Sequence, residues 1–340
     1  MPRRIAHRAW RELRGHWPQL RNAPAILMYH RVDEPPWDPW GLCIPPSLFR
    51  DQLRELTQRR TIVSLEELAS GLQAGKVPPK ATALTFDDGY ADNIQIAAPI
   101  LEESGAPATF FLTSGFVSGG ERFWWDELAR IVLGGREAAD FALEIGGTKL
   151  AAAWPEQRRL PEDLAAWRVG QPASDPRRIA YERLWNGLRS MGEVARRTAL
   201  EGLAAATGED APLAEDPLGV PMDSEMIRSA PKLVSFGAHG RSHTPLTALP
   251  PAERRAELEL ARREVAALTG GAPPAGMAYP HGSLDDETRA LVAAAGYRWA
   301  VTSRSARVDP KRCDLLALPR LELGRRNGRA MRRALHAAGR

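Results

Sequence analysis

The 340-residue sequence predicts an α/β protein, a distorted (β/α) barrel interrupted by a mostly helical insertion. Three observations carry that prediction. Apolar segments of strand length alternate with amphipathic segments of helix length in the first and last thirds of the chain. Between Gly119-Gly120 and about Ser229 the alternation stops and helical patterning takes over. Five ionisable residues (His30, Asp87, Asp88, His239 and His281) each fall just after a predicted strand, on the barrel rim where chemistry collects.

The apolar run Ala25–Tyr29 predicts the first strand, ending at His30. Phe49, Leu53 and Leu56 mark a helix, and Thr61–Val63 a short strand. Ser64 with Glu67 three residues on forms a capping box that opens the next helix. The buried-type strand Ala81–Phe86 follows, then a helix over Asp92–Glu103 stopped by Gly105, then a strand over Ala108–Thr113. Within the insertion, Phe141–Ile145 and Thr148–Ala151 predict a hairpin turning at Gly146-Gly147. Trp124, Trp125, Trp154, Trp167 and Trp185 read there as core anchors. Alternation resumes with strands at Leu233–Phe236, Met277–Tyr279, Tyr297–Thr302 and Leu315–Leu321, and helices over 252–268 and 284–295.

A composition that is 44% hydrophobic suits a globular protein. Cys43 and Cys313 form no CxxC pair, so no disulfide framework is expected and a reducing compartment is the simpler reading. The net charge of +4 comes from the two ends. Residues 1–21 hold six arginines against Glu12, and residues 325–340 hold six arginines and no acid, while the body between them is acidic. Ala6, Trp10, Leu13 and Trp17 make one apolar stripe opposite the arginines until Pro18. That stripe suits either an anionic membrane surface or a helix docked on its own protein. Nucleic acid is disfavoured as a partner, because no recognition module accompanies the arms. With no apolar run long enough for a signal peptide or a membrane span, the expected location is the cytoplasm, peripheral to the inner membrane face.

Two adjacent carboxylates at the end of a buried strand, Asp87-Asp88, repel each other and lose hydration, and nothing in strand packing calls for them. A divalent cation resolves the conflict if one carboxylate binds it and the other stays free as a base. His239 and His243, with the i, i+4 spacing of a helix face, are the natural neutral partners. One Asp and two His leave coordination positions open, as a catalytic site requires.

These motifs resemble the polysaccharide deacetylase family, the NodB-homology or carbohydrate esterase 4 group, over residues 24–118 and 229–324. Thr85-Phe86-Asp87-Asp88-Gly89 matches its first motif and His239-x-x-x-His243 its second, while Met277-Ala278-Tyr279-Pro280-His281-Gly282 is similar to its third. Leu27-Met28-Tyr29-His30-Arg31-Val32 resembles the opening strand of the branch acting on bacterial exopolysaccharides. The resemblance implies a barrel of the deacetylase type, with Asp87 as general base and Asp88, His239 and His243 as ligands of a divalent metal, expected to be zinc. It also implies that the backbone N–H of His281 faces the oxyanion. Two departures stand out: Ala278 occupies the place of an arginine that orients the base, and Leu318-Pro319-Arg320-Leu321 replaces a leucine-x-histidine motif. Arg320 is therefore the candidate replacement arginine, and His30, with His281 second, the candidate acid. Tyr279, Pro280 and His281 are further candidates for lining the substrate site. Trp37 and Trp40, in a proline-rich loop after His30, are candidates for sugar stacking.

The expected organisation is a basic arm at 1–23, a barrel at 24–118 and 229–324, an insertion at 119–228 and a basic tail at 325–340. The expected activity is hydrolysis of N-acetyl groups on amino sugars of a polysaccharide or lipid-linked glycan. The alternatives are a deformylase or other N-acyl amidase on a lipid-linked amino sugar, a non-haem iron oxygenase, since two histidines and a carboxylate also make a facial triad, and an inactive sugar-binding relative.

Overall fold

The computed structural model describes residues 22–337 apart from 120, 136, 146, 157–163, 165, 173–174 and 209–218. The N-terminal amphipathic arm therefore lies outside the described residues. Twelve strands occur among those described: β1 Ala25–Tyr29, β2 Arg31–Val32, β3 Cys43–Ile44, β4 Thr61–Ile62, β5 Ala81–Phe86, β6 Ala108–Leu112, β7 Ala139–Ile145, β8 Thr148–Trp154, β9 Val234–Ala238, β10 Gly276–Ala278, β11 Trp299–Ser305 and β12 Leu318–Glu322.

Seven of them close on themselves in the order β1-β12-β11-β10-β9-β6-β5, with β1 pairing both β12 and β5. Every pairing in this ring is parallel, and β4 hangs outside it on β5. Parallel strands need crossovers, which the helices Pro46–Arg59, Leu65–Ala74, Pro251–Thr269 and Asp286–Ala294 supply. The sequence pattern accounts for the ring. β1, β5 and β6 are buried at every position, as strands covered on both sides must be. The Ser64–Glu67 capping box forms as expected.

Boundaries shift where local chemistry intervenes. The expected strand Leu315–Leu321 splits into a 3₁₀ turn, Leu315–Ala317, capped by Asp314, and the strand β12. The helix expected over Asp92–Glu103 begins with a wide π turn, Asn93–Ala97. The hairpin is longer than expected, with β7 and β8 paired from Ile145–Thr148 out to Ala139–Trp154.

The insertion enters after β6 and leaves before β9, yet those two strands pair directly along Ala108–Leu112. It packs a core of its own around Trp124, Trp125, Trp154, Trp167 and Trp185, with Phe141, Leu184 and Leu200. Its helices Trp124–Ala129, Pro176–Leu188 and Glu193–Thr207 therefore form a second hydrophobic unit seated on the barrel rim.

Candidate active site

Asp87 and Asp88 leave the end of β5, His239 follows β9, His281 follows β10, and His30 follows β1. All five line one cleft of about 220 Å³. The turn after β5 works because Gly89 takes a φ of +92°, and any side chain there would press on Leu112. The backbone is strained where the chemistry collects. Asp88, His243 and His281 are three of the four non-glycine residues with left-handed φ among the described residues.

Asp87 and Asp88 hold different partners. Arg320, 1% exposed on β12, donates Nη1 to Asp87 Oδ1 and Nη2 to Asp87 Oδ2, each at 2.6 Å. The same guanidinium donates to the Thr302 carbonyl (2.9 Å) and Thr85 Oγ1 (3.1 Å), which fixes its plane. Burial would raise the Asp87 carboxyl, but Arg320 and then His239 outweigh it and bring it down to about 2. Asp87 is therefore ionised. Asp88 Oδ1 has no hydrogen-bond partner, although buried. Instead it faces His239 Nε2 at 3.5 Å and His243 Nε2 at 3.3 Å.

The ligand atoms of Asp88, His239 and His243 all lie within 4.8 Å of one another. His239 Nδ1 lies 2.9 Å from the Ala278 carbonyl and donates to it, which turns Nε2 inward toward Asp88. Burial, followed by His281 and His239, pushes the His243 imidazole well below its ordinary range, into the neutral form that ligates. A divalent cation fits this donor set: an orphaned buried carboxylate oxygen and two imidazole nitrogens converge. The helical spacing expected for His239 and His243 is not realised. Residues 239–245 form a loop in which Gly240 and His243 both take left-handed φ, and the loop rather than a helix face brings the two rings to a 4.9 Å centroid separation.

His281 donates Nε2–H to the His243 carbonyl at 3.2 Å. No hydrogen bond from the His30 ring is present among the described residues, and the carbonyl of His30 accepts from Asn93 Nδ2 at 2.8 Å. Tyr279 lines the cleft, but its hydroxyl is committed to the Leu316 carbonyl. Pro280 is buried against Gly240 instead, outside the lining. Trp40 lines the cleft, its ring 4.1 Å from that of Trp185 and its Nε1–H donated to the Tyr181 hydroxyl. Trp37 packs on Gly134 of the insertion and takes no part in the lining.

Three lining residues that the pattern read only as core are Trp124, Trp125 and Trp185. Trp125 lies 4.5 Å from the His243 ring, and Trp185 stands edge-on to His281 at 5.8 Å. A Trp doublet placed just after a barrel rim was the available signal. Periodicity alone could not say which face met the cleft.

A model of the polysaccharide deacetylase family matches residues 74–141 and 211–300, which contain Asp87, Asp88, His239, His243 and His281. YxkH of Bacillus subtilis, whose name assigns it to polysaccharide deacetylases, is 34% identical over 89 residues, 26% of this chain and 30% of that protein. The aligned stretch thus spans under a third of that relative. Among solved structures, the Streptococcus pyogenes deacetylase PplD in complex with acetate superposes with a TM-score of 0.53 at 18% identity, covering 89% of this chain and 93% of that one. IcaB from Ammonifex degensii gives 0.52 at 15% identity, with 94% and 98% covered. A de-N-acetylase from Aggregatibacter actinomycetemcomitans gives 0.51 at 16% identity, with 92% and 99% covered. At these identities the structural likenesses establish the fold, a closed parallel barrel shared with all three. The family model spans just under half of the chain, and with this shared barrel it marks the chain as similar to the polysaccharide deacetylases.

Proposed function

We propose that the protein is a metal-dependent hydrolase that removes N-acetyl groups from amino sugars of a polysaccharide or lipid-linked glycan. One observation carries the reading. An ionised carboxylate, Asp87, is held by Arg320 beside a separate Asp–His–His donor set in a cleft walled by tryptophans. Water activation needs such a free base; oxygen activation does not, so the arrangement favours hydrolysis over a facial-triad oxygenase. A silent sugar-binding relative has no use for an Asp87 held ionised by a buried arginine.

Asp88, His239 and His243 would hold the cation, which would act as a Lewis acid toward the amide oxygen and lower the pKa of the attacking water. Asp87 takes the proton of that water. Because Arg320 holds both carboxylate oxygens, Asp87 keeps one orientation through the reaction. The backbone N–H of His281, carried on a left-handed turn at the cleft, donates to the developing oxyanion. His30 gives its proton to the departing amine, which is otherwise too basic to leave. His281 is second choice, because its Nε2–H is already engaged by the His243 carbonyl. The aromatic faces of Trp40, Trp125 and Trp185 suit the apolar face of a sugar ring.

We also read the basic segment at residues 1–21 as a peripheral contact with anionic lipid, which suits a lipid-linked substrate. Among the described residues no helix is long and apolar enough to cross a membrane. The test of the activity is acetate release from N-acetylated amino-sugar oligomers by metal-stripped and zinc-reloaded protein, with formate assayed in parallel on N-formyl substrates. No release of either acid after reloading would overturn the reading.

A further inference from the structure

The loop that carries His243 is gripped from two sides. On the barrel side Glu257, from the helix Pro251–Thr269, uses one oxygen to accept from Arg241 N–H (2.7 Å), Ser242 N–H (2.6 Å) and Ser242 Oγ–H (2.9 Å). On the insertion side Arg196, from the helix Glu193–Thr207 and 3% exposed, donates Nη1 to the Ser242 carbonyl (3.0 Å) and Nη2 to Thr244 Oγ1 (2.9 Å). The guanidinium is anchored in turn by the carbonyls of Leu188 (3.2 Å) and Met191 (2.7 Å), and lies 4.9 Å over the Trp124 ring. Ser242 and Thr244 hydroxyls close the circuit at 2.8 Å.

The consequence falls on His243. Its φ of +56° is one that a histidine adopts only when its surroundings impose it. The carbonyl gripped by Arg196 belongs to the peptide plane leading into that residue, and the hydroxyl it grips lies one residue beyond. Released from that hold, the backbone would relax toward negative φ and carry Nε2 away from its place 3.3 Å from Asp88 Oδ1. A buried guanidinium is a costly way to fill space, since burying a charge demands that its N–H groups be met. Here they are met by the loop and the insertion together.

We propose that Arg196 is a positioning residue for the metal centre, through which the insertion sets the affinity of His243 for the cation. This rests on the reading of Asp88, His239 and His243 as metal ligands. It assigns the insertion a role beyond walling the cleft.

The experiment is a zinc titration of full-length protein against a competing chromogenic chelator, for the wild type, Arg196→Met, Arg196→Lys and Thr244→Val. Thermal melting of the metal-free proteins is measured alongside. Loss of a group that orients a ligand typically weakens metal binding roughly 10–100-fold. Arg196→Met is expected to fall in that range, with Arg196→Lys recovering part of it. Thr244→Val, which leaves the guanidinium in place to support the insertion core, should weaken binding to a smaller extent. A purely structural Arg196 would lower the melting temperature and leave the zinc dissociation constant of the folded variants unchanged. That result, with wild-type affinity in Thr244→Val, overturns the proposal and leaves the metal reading standing. Absence of zinc binding by the wild type overturns both.

Discussion

Arg320 meets Asp87 face to face, two terminal nitrogens on two carboxylate oxygens at 2.6 Å, across a sequence separation of 233 residues. The guanidinium reaches Asp87 from β12, so Asp87 is the member of the Asp87–Asp88 pair already held by a cation.

Asp87→Asn is expected to retain zinc and fold while losing roughly 10²–10⁴-fold in kcat, the usual contribution of a positioned base. Asp88→Asn should instead lose zinc together with activity. Metal content and turnover measured on both variants separate the two roles. Equal zinc loss in the two would mean that both carboxylates support the metal, and loss in Asp87→Asn alone would reverse the assignment.

Arg320→Met strands a buried carboxylate, and breaking a buried pair from one side costs roughly 3–5 kcal/mol. Urea unfolding at neutral pH should show that loss. Arg320→Lys cannot offer two parallel N–H groups, so it should recover charge but not orientation and remain poor in kcat. A Lys variant with wild-type turnover would contradict the orienting role.

His30→Ala should depress turnover of an alkyl N-acetyl amine far more than that of an activated anilide, whose leaving group needs no proton. The ratio of the two rates is the readout. If His281→Ala shows the selective loss and His30→Ala does not, the acid is His281.

The Asp126 carboxyl, removed from water and accepting from the Tyr90 hydroxyl at 2.7 Å, is pushed up to about 6 by burial, against the pull of Arg31 and with a push from Asp88 and Asp92. A folded-state value above the unfolded one means that the native protein holds this proton more tightly. The resulting stability is fully present below about pH 4 and is lost as pH rises through about 6. Asp126→Asn keeps an acceptor for Tyr90 and removes the titration. Its stability relative to wild type should therefore rise from pH 4 to pH 7, by on the order of 2–3 kcal/mol. Parallel stability curves for the two proteins would refute the linkage.

Much of the ring was legible because its strands are short, wholly apolar runs. Ala25–Tyr29 and Ala81–Phe86 could be delimited to the residue. The Asp–His–His set was legible because two adjacent acids at a buried strand end repel each other unless cationic partners take them up. What escaped is what depends on three-dimensional proximity. The 239–245 loop copies helical spacing through left-handed turns at Gly240 and His243, which no periodicity records. Trp125 and Trp185 bury one face in the insertion core while meeting the cleft, so composition marked them only as core. Trp37, beside Trp40 in the chain, was drawn instead to the space above Gly134.

The closure of β1 onto β12 also has a bearing on how the protein is made. Asp87 emerges from the ribosome early, whereas Arg320 follows more than two hundred residues later on the last strand of the ring. Until that strand docks, the Asp87 carboxylate lacks the partner that fixes its orientation. Asp87 thus reaches its final setting only with the last strand of the ring. Docking of β12 completes the barrel wall and orients that carboxylate in the same event.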